Sequence, residues 1–407
     1  MPRPLSHIRV VDLTRVLAGP WASQTLADLG AEVIKIERPK TGDDTRSWGP
    51  PWLKDKDGRD TREAAYYLSV NRGKKSVTVD LSKPAGQSLV RELAAKSDVL
   101  IENYKVGDLA RYGLAYDDVR KPNPRIVYCS ITGFGQDGPY AGRPGYDFIF
   151  QGMGGLMSIT GERDELPGGG PQKVGIAITD VLTGMYASLA VTAAIAYRQL
   201  TGAGQYIDMA LLDTLVAFNA NQISNYWCSG EIPRRYGNAH ANIVPYEVFA
   251  AADGHIILAV GNDSQFAGFC RVAGRPDLAT DPRFSTNPQR VKNRAVLVPI
   301  VQEIVKQRAK RDWIGALEDA GVPCGPINDL REVFENPQVR HRGMRVDVPH
   351  PAGVACPTVA SPMRFSETPV GYGTPPPLLG QHTREILGGV LGLSEAEIDA
   401  LAAQGVI

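Results

Sequence analysis

Short apolar runs alternate with amphipathic stretches along the first part of the chain. Residues 8–13, IRVVDL, read as a buried strand. After a turn at Ala18-Gly19-Pro20, WASQTLADLG has a helical pattern closed by Gly30, and AEVIKIE reads as a second strand. The connections are short, so this is a β-α-β unit and predicts a parallel sheet. Residues 39–63 are polar and rich in Gly, Pro and Asp, and read as a long surface loop. SVTVDL, from Ser76, alternates as a strand. KPAGQSLVRELAAKS follows as a helix, DVLIEN as a strand, DLARYGL as a short helix and RIVYCSITGFG as a strand entering a glycine-rich loop. The pattern of residues 1–150 predicts a doubly wound, Rossmann-like α/β domain.

The alternation resumes after Asp180 with a long apolar helix, the strand YIDMAL and the helix LLDTLVAFNANQISNYW. Near residue 229 the character changes. A tight turn at Asp253-Gly254 leads to the strand HIILAVG, and VLVPIVQEIVKQRAKRDWIGALEDAG reads as helical. Three segments result: 1–228 in a large α/β domain, 229–328 as a smaller α+β domain, and 329–407 as a tail expected to pack back on the first domain.

Composition narrows the function classes. The chain has 407 residues with 44 Lys and Arg against 44 Asp and Glu, which gives no global basic field for nucleic acid or an anionic membrane. The uncharged run Val181 to Tyr197 is near the short limit for a membrane span and carries Thr183, Gly184, Ser188 and Thr192, so it reads as a buried core helix. The five cysteines are scattered without a CxxC pair. They indicate neither a disulfide framework nor a zinc site, and a reducing, cytoplasmic compartment is expected. The N-terminus passes almost at once into a strand pattern, so no targeting peptide is expected. No HExxH or GxSxG occurs, which leaves metal and serine hydrolases without support. Gly133-Phe-Gly135-Gln-Asp-Gly138 matches GxGxxG literally. Pro139, Gly142, Pro144 and Gly145 then oppose the helix that a dinucleotide fingerprint requires.

One carboxylate remains. Asp180 stands in VGIAITDVLTGMYASLA, with Lys173 the nearest charge before it and Arg198 the next after it. Spacing alone favours a helix N-cap. Capping and chemistry are compatible, because a helix start stabilises negative charge. At the ordinary Asp pKa of about 3.9 the group is an ionised nucleophile that needs no base, unless desolvation is severe. Such a group suits attack on an activated acyl carbon such as a thioester.

The stretches VDLTRVLAGPWASQTLADLGAEVIKIERP, NRGKKSVTVDL, VLIENYKVGDLARYGL, ITGFGQDGPYAGRPGYDF, KVGIAITDVLTGMYA, GAGQYIDMALLD and GVPCGPIND, in that order, resemble the class III CoA-transferases, the formyl-CoA and carnitine CoA-transferase group. The resemblance covers nearly the whole chain and implies that Asp180 is the nucleophile. It also implies an interlocked homodimer whose large domain is built from both chain ends. It implies CoA thioesters as substrates, with no metal and no prosthetic group. Matched positions imply CoA contacts from Val16, Leu17, Arg38, Leu81, Asn103, Tyr104, Lys105, Arg111, Tyr146 and Asp147. Arg38, Lys105 and Arg111 are placed to neutralise phosphates, and Tyr104 to cover an adenine or pantetheine face.

Departures refine the expectation. Leu17 stands where formyl-CoA transferases have Gln, and YGNAHANIVPYEVF lacks their glycine run. GNAHANIVPY resembles instead the succinyl-CoA:glutarate branch, with His240 and Asn242 as candidates for the acceptor's distal carboxylate. Racemases of the superfamily have a catalytic His where this chain has Tyr146, a poor proton-exchange base at neutral pH. The reading is a CoA-transferase working through an aspartyl anhydride and an aspartyl-CoA thioester. The alternatives are a formyl-CoA/oxalate-type transferase, a 2-methylacyl-CoA racemase and a non-catalytic CoA-binding subunit.

Overall fold

The computed structural model describes residues 2–407. The strands are β1 Arg9–Asp12, β2 Glu32–Glu37, β3 Trp52–Lys54, β4 Asp60–Ala64, β5 Lys74–Thr78, β6 Val99–Glu102, β7 Val127–Thr132, β8 Tyr206–Ala210, β9 Tyr246–Ala251, β10 Gly254–Ala259, β11 Cys324–Pro326, β12 Arg345–His350 and β13 Val354–Val359. Six of them form one sheet in the order β5-β2-β1-β6-β7-β8, and every neighbouring pair is parallel. Counted along the chain this is 3-2-1-4-5-6, the doubly wound order with its reversal between β1 and β6. All residues of β6 and β7 are buried, as in a parallel sheet covered on both faces.

The chain divides into two compact units. One comprises residues up to Leu156, Val174–Ile223 and Gln338–Ile407; the other comprises Met157–Lys173 and Ser224–Pro337. In the first, the C-terminal segment lines β5. The amide of Gly73 donates to Thr374 O, that of His382 to Ser76 O, and that of Asp80 to Val406 O. Ile386, Leu387, Ile398 and Val406 join Val77, Val79 and Leu89 in one apolar cluster. The second unit has the antiparallel sheet β11-β10-β9 over a core that includes Phe249, Phe266, Phe269 and Trp313.

Three local expectations need correction. Ala18-Gly19-Pro20 is the first turn of the helix Ala18–Asp28 rather than a preceding turn. Proline is tolerated there because the first-turn N–H groups have no helical acceptor. The polar stretch 39–63 contains the hairpin β3–β4. The two long helical readings are each broken, into Leu211–Phe218 and Ala220–Ser229, and into Arg294–Val305 and Lys310–Asp319. The first break falls at Asn219, whose side chain donates to Gly154 O, followed by Ala220 at φ 43°.

The helix Ile178–Thr201 lies against Ala18–Asp28. The contact depends on Gly184, where a Cβ atom would lie 2.5 Å from Ala18 O. It is long and apolar enough to cross a membrane by length and composition alone. One of its faces is buried at Thr183, Gly184, Ala187, Ser188, Val191 and Ala194, while Met185, Tyr186, Leu189 and Leu200 are exposed, so the expected core helix is buried on one face only.

Candidate active site

The carboxyl ends of β5, β2, β1 and β6 stand side by side, and each runs into predicted site residues. Leu81 follows β5, Arg38 follows β2, Val16 and Leu17 follow β1, and Asn103, Tyr104 and Lys105 follow β6. The crevice outside these ends is where doubly wound sheets bind ligands. Asn103 joins the two strands at the reversal: its Oδ1 accepts from Arg15 N at 2.9 Å, and its Nδ2 donates to Arg15 O at 2.7 Å. The Tyr104 amide donates to Glu102, and the Arg15 guanidinium lies 5.7 Å from the Tyr104 ring centre. Lys105 and Arg111 are exposed, and Arg111 lies 3.3 Å from Asp108.

Arg38 and Lys40 line a cavity of about 1190 Å³ together with Thr78, Asp80, Lys83 and Arg384. Lys83 is engaged by the carbonyls of Gln404 and Gly405, and Arg384 by Glu395 and Asp399. Arg38 and Lys40 form no ion pair among the described residues, so they are the cations free for an anionic ligand.

The glycine-rich run takes the form expected from its missing helix. Gly135 and Gly138 have φ of 91° and 84° in a loop, and the next helix is Asp147–Met153. Gly145 lets this loop lie on a ring, since a Cβ there would meet Phe150 at 2.2 Å. Tyr146, at the end of the loop, is 68% exposed.

Asp180 is not an N-cap. The helix starts at Ile178, Ala177 is the cap residue without a side-chain bond, and Asp180 is the third helical residue. The cap comes from Asp147: its Oδ1 accepts from Thr179 N at 2.7 Å and from Asp180 N at 3.3 Å. Its Oδ2 accepts from Gln151 Nε2 at 2.6 Å. Fully buried Gln151 also accepts from Val174 N and donates to Ile176 O, which fixes the approach to the helix. Both Asp147 oxygens are thereby occupied within the chain, and the amides of Thr179 and Asp180 are committed to it.

The Asp180 carboxylate is left half-buried, with no hydrogen-bond or ion-pair partner among the described residues. Burial, with a smaller contribution from the negative charge of Asp147, raises its pKa from 3.8 to about 7. Desolvation is thus far stronger than the sequence alone suggested. Tyr66 also lies in the field of Asp180. Burial first, and that charge second, push its phenol up to about 12, so it remains a neutral O–H. Its ring meets Trp48 edge-on at 5.1 Å. Sequence reasoning missed Tyr66 and Gln151, because an aromatic pair in AAYYLS and a glutamine in a helix carry no spacing signal.

His240 and Asn242 lie in the second unit. His240 Nδ1 accepts from Asn242 N at 3.0 Å, and Asn242 Oδ1 accepts from Asn225 Nδ2 at 3.0 Å. Arg294 clamps the same loop by donating to His240 O and Ala241 O. His240 Nε2 is not used in these contacts.

The profile of CoA-transferase family III matches residues 5–383. The chain belongs to the family III CoA-transferases. It is 51% identical over 384 residues to succinate--glutarate CoA-transferase of Agrobacterium fabrum, covering 94% of this chain and 95% of that protein. It is 43% identical over 405 residues to succinyl-CoA:glutarate CoA-transferase of Homo sapiens, covering 100% and 90%. The crystal structure of a CAIB/BAIF family protein from Brucella suis superposes with a TM-score of 0.83 at 47% identity, covering 96% of this chain and 100% of that one. The protein is therefore an enzyme of the CoA-transferase class, with CoA thioesters as its substrates.

In this CoA-transferase the raised Asp180 pKa has a thermodynamic cost. Between pH 3.8 and about 7 the folded chain holds a proton that the unfolded chain has released, so stability falls as pH rises through that window. Asp180→Asn should therefore melt higher than wild type at pH 8, by a few degrees, with the difference vanishing below pH 4. Calorimetric scans at both pH values test this; an equal shift at both would remove the electrostatic account.

Proposed function

We propose that this CoA-transferase moves CoA from succinyl-CoA to a short dicarboxylate, glutarate being the first choice, through acyl intermediates on Asp180. The carrying observation is the Asp180 carboxylate itself: half-buried, unpartnered, and raised to about 7 by its surroundings. A raised pKa makes the ionised group a stronger nucleophile, and burial keeps water from the acyl intermediates.

The steps balance without a further reagent. An Asp180 oxygen attacks the thioester carbonyl, the C–S bond breaks, and a mixed anhydride and CoA thiolate form. The thiolate attacks the aspartyl carbonyl and expels the donor as its free carboxylate, leaving an aspartyl-CoA thioester. The acceptor carboxylate attacks that thioester and regenerates thiolate and an anhydride. The thiolate then attacks the acceptor's acyl carbon, which frees Asp180 and releases the new acyl-CoA. Arg38 and Lys40 are assigned to CoA phosphates, and the residues after β1, β5 and β6, with Arg111 and Tyr146, to the rest of the carrier.

The dicarboxylate choice is supported by the two relatives named as glutarate CoA-transferases. His240, with Nε2 left over by the loop's own bonds, and Asn242 are assigned to the distal carboxylate. A homodimer belongs to the same proposal. Met185, Tyr186, Leu189 and Leu200 leave the helix Ile178–Thr201 with a bare apolar face, Leu200 being 88% exposed. An obligate partner surface has this character.

Asp180→Ala should lower turnover roughly a thousandfold or more while keeping the fold. Wild type incubated with succinyl-CoA and then hydroxylamine should carry the label on Asp180 by peptide mass, and an adduct on another carboxylate would sink the assignment. In wild type, kcat/KM for the donor should drop about tenfold per pH unit below about 7, the pKa of the free nucleophile. His240→Ala should raise KM for glutarate about tenfold and leave a monocarboxylate nearly unchanged; equal changes would clear His240 of that role. Sedimentation at decreasing concentration should show a dimer down to the point of unfolding, and a folded, active monomer would refute the obligate assembly.

A further inference from the structure

Val16 is held at φ 71°, in the left-handed region, although it is β-branched. That conformation is unfavourable for any side chain with a Cβ and more so for valine, so the surroundings must impose it. They do so with buried charge. The Val16 amide donates to Asp43 Oδ1 at 3.3 Å. Asp43 faces Lys35 at 2.9 Å with both side chains fully buried. Lys35 Nζ reaches back to Thr14 O at 2.8 Å, so one ion pair grips the loop at Thr14 and Val16. Thr14 is held again from below, since Asp12 Oδ1 accepts from its amide and its hydroxyl. Asn103 holds Arg15 from the neighbouring strand.

We propose that Asp43, held in place by Lys35, is a positioning residue that keeps Val16 in its left-handed conformation so that the loop after β1 is shaped for acyl-CoA before the ligand arrives. The inference rests on the reading of Val16 as part of the CoA site. Neither charged residue need touch the substrate. A buried ion pair is a poor stabiliser compared with apolar packing, so its value here is the geometry that it fixes. The lowered pKa of Asp43, about 2 despite its burial, keeps the pair charged across the working range.

A double-mutant cycle tests this. Asp43→Asn weakens the hold and lets Val16 relax to negative φ, so KM for succinyl-CoA should rise about tenfold while kcat and KM for glutarate change little. Val16→Gly needs no force to stay left-handed. In the Val16→Gly background the further cost of Asp43→Asn should therefore shrink to about twofold or less. Equal costs in the two backgrounds, or an unchanged KM in Asp43→Asn, would overturn the proposal. Should Asp43→Asn fail to fold, Val16→Gly decides alone: its melting temperature should equal or exceed that of wild type, and a clear fall overturns the strain. Amide exchange in wild type separates this from the underlying reading. Acyl-CoA should slow exchange at residues 14–17, and absent protection would remove Val16 from the CoA site without bearing on the strain.

Discussion

The bond from Thr179 N to the carboxylate of Asp147 is the constraint on which the candidate active site depends. A helix start needs an acceptor, and the residue that could have supplied one, Asp180, is excused because a neighbouring helix supplies it. One carboxylate, from the helix Asp147–Met153, is spent on structure so that another, in the first turn of the helix it caps, stays without partners. The two also repel each other. The arrangement that frees Asp180 therefore also helps to keep its proton affinity high.

The sheet supplies the second half of the arrangement. Its reversal between β1 and β6 places four strand ends in a row. The residues that follow them come from positions far apart in the chain. Buried ion pairs, Lys35 with Asp43 and Lys74 with Asp12, sit directly beneath the loop after β1. A site built this way is specified by the backbone and by charges that water does not reach, and less by the surface groups that face it.

Much of this was legible in sequence because parallel strands buried on both faces write themselves as apolar runs: VVD, VIKIE, VLIE and VYCSIT. The family resemblance pointed to Asp180 and to residues that the fold sets at the strand ends. Local spacing misled where tertiary packing decides. Asp180 looked like a cap because its sequence neighbours cannot reveal that Asp147 would arrive from 33 residues upstream. The AGP turn is helix, since proline is tolerated in a first turn and Gly184 lets Ala18 and Trp21 come close. Breaks at Asn219 and after Val305 have no Pro or Gly to announce them. Lys35 and Asp43 read as ordinary polar residues on a strand and a loop, since burial of charge leaves no periodicity.

The return of the C-terminal segment to β5 has a consequence for the order of synthesis. The outer edge of β5 finds its partners among residues 374–406, which leave the ribosome long after the strand itself. The insert from Ser224 to Pro337 is contiguous apart from one short upstream segment, and emerges in between. At ordinary translation rates the bare strand edge waits roughly fifteen seconds to a minute before it is covered. Nascent chains of this enzyme thus pass through an interval with an open sheet edge and an apolar cluster short of Ile386, Leu387, Ile398 and Val406, when the bare edge is open to wrong pairing.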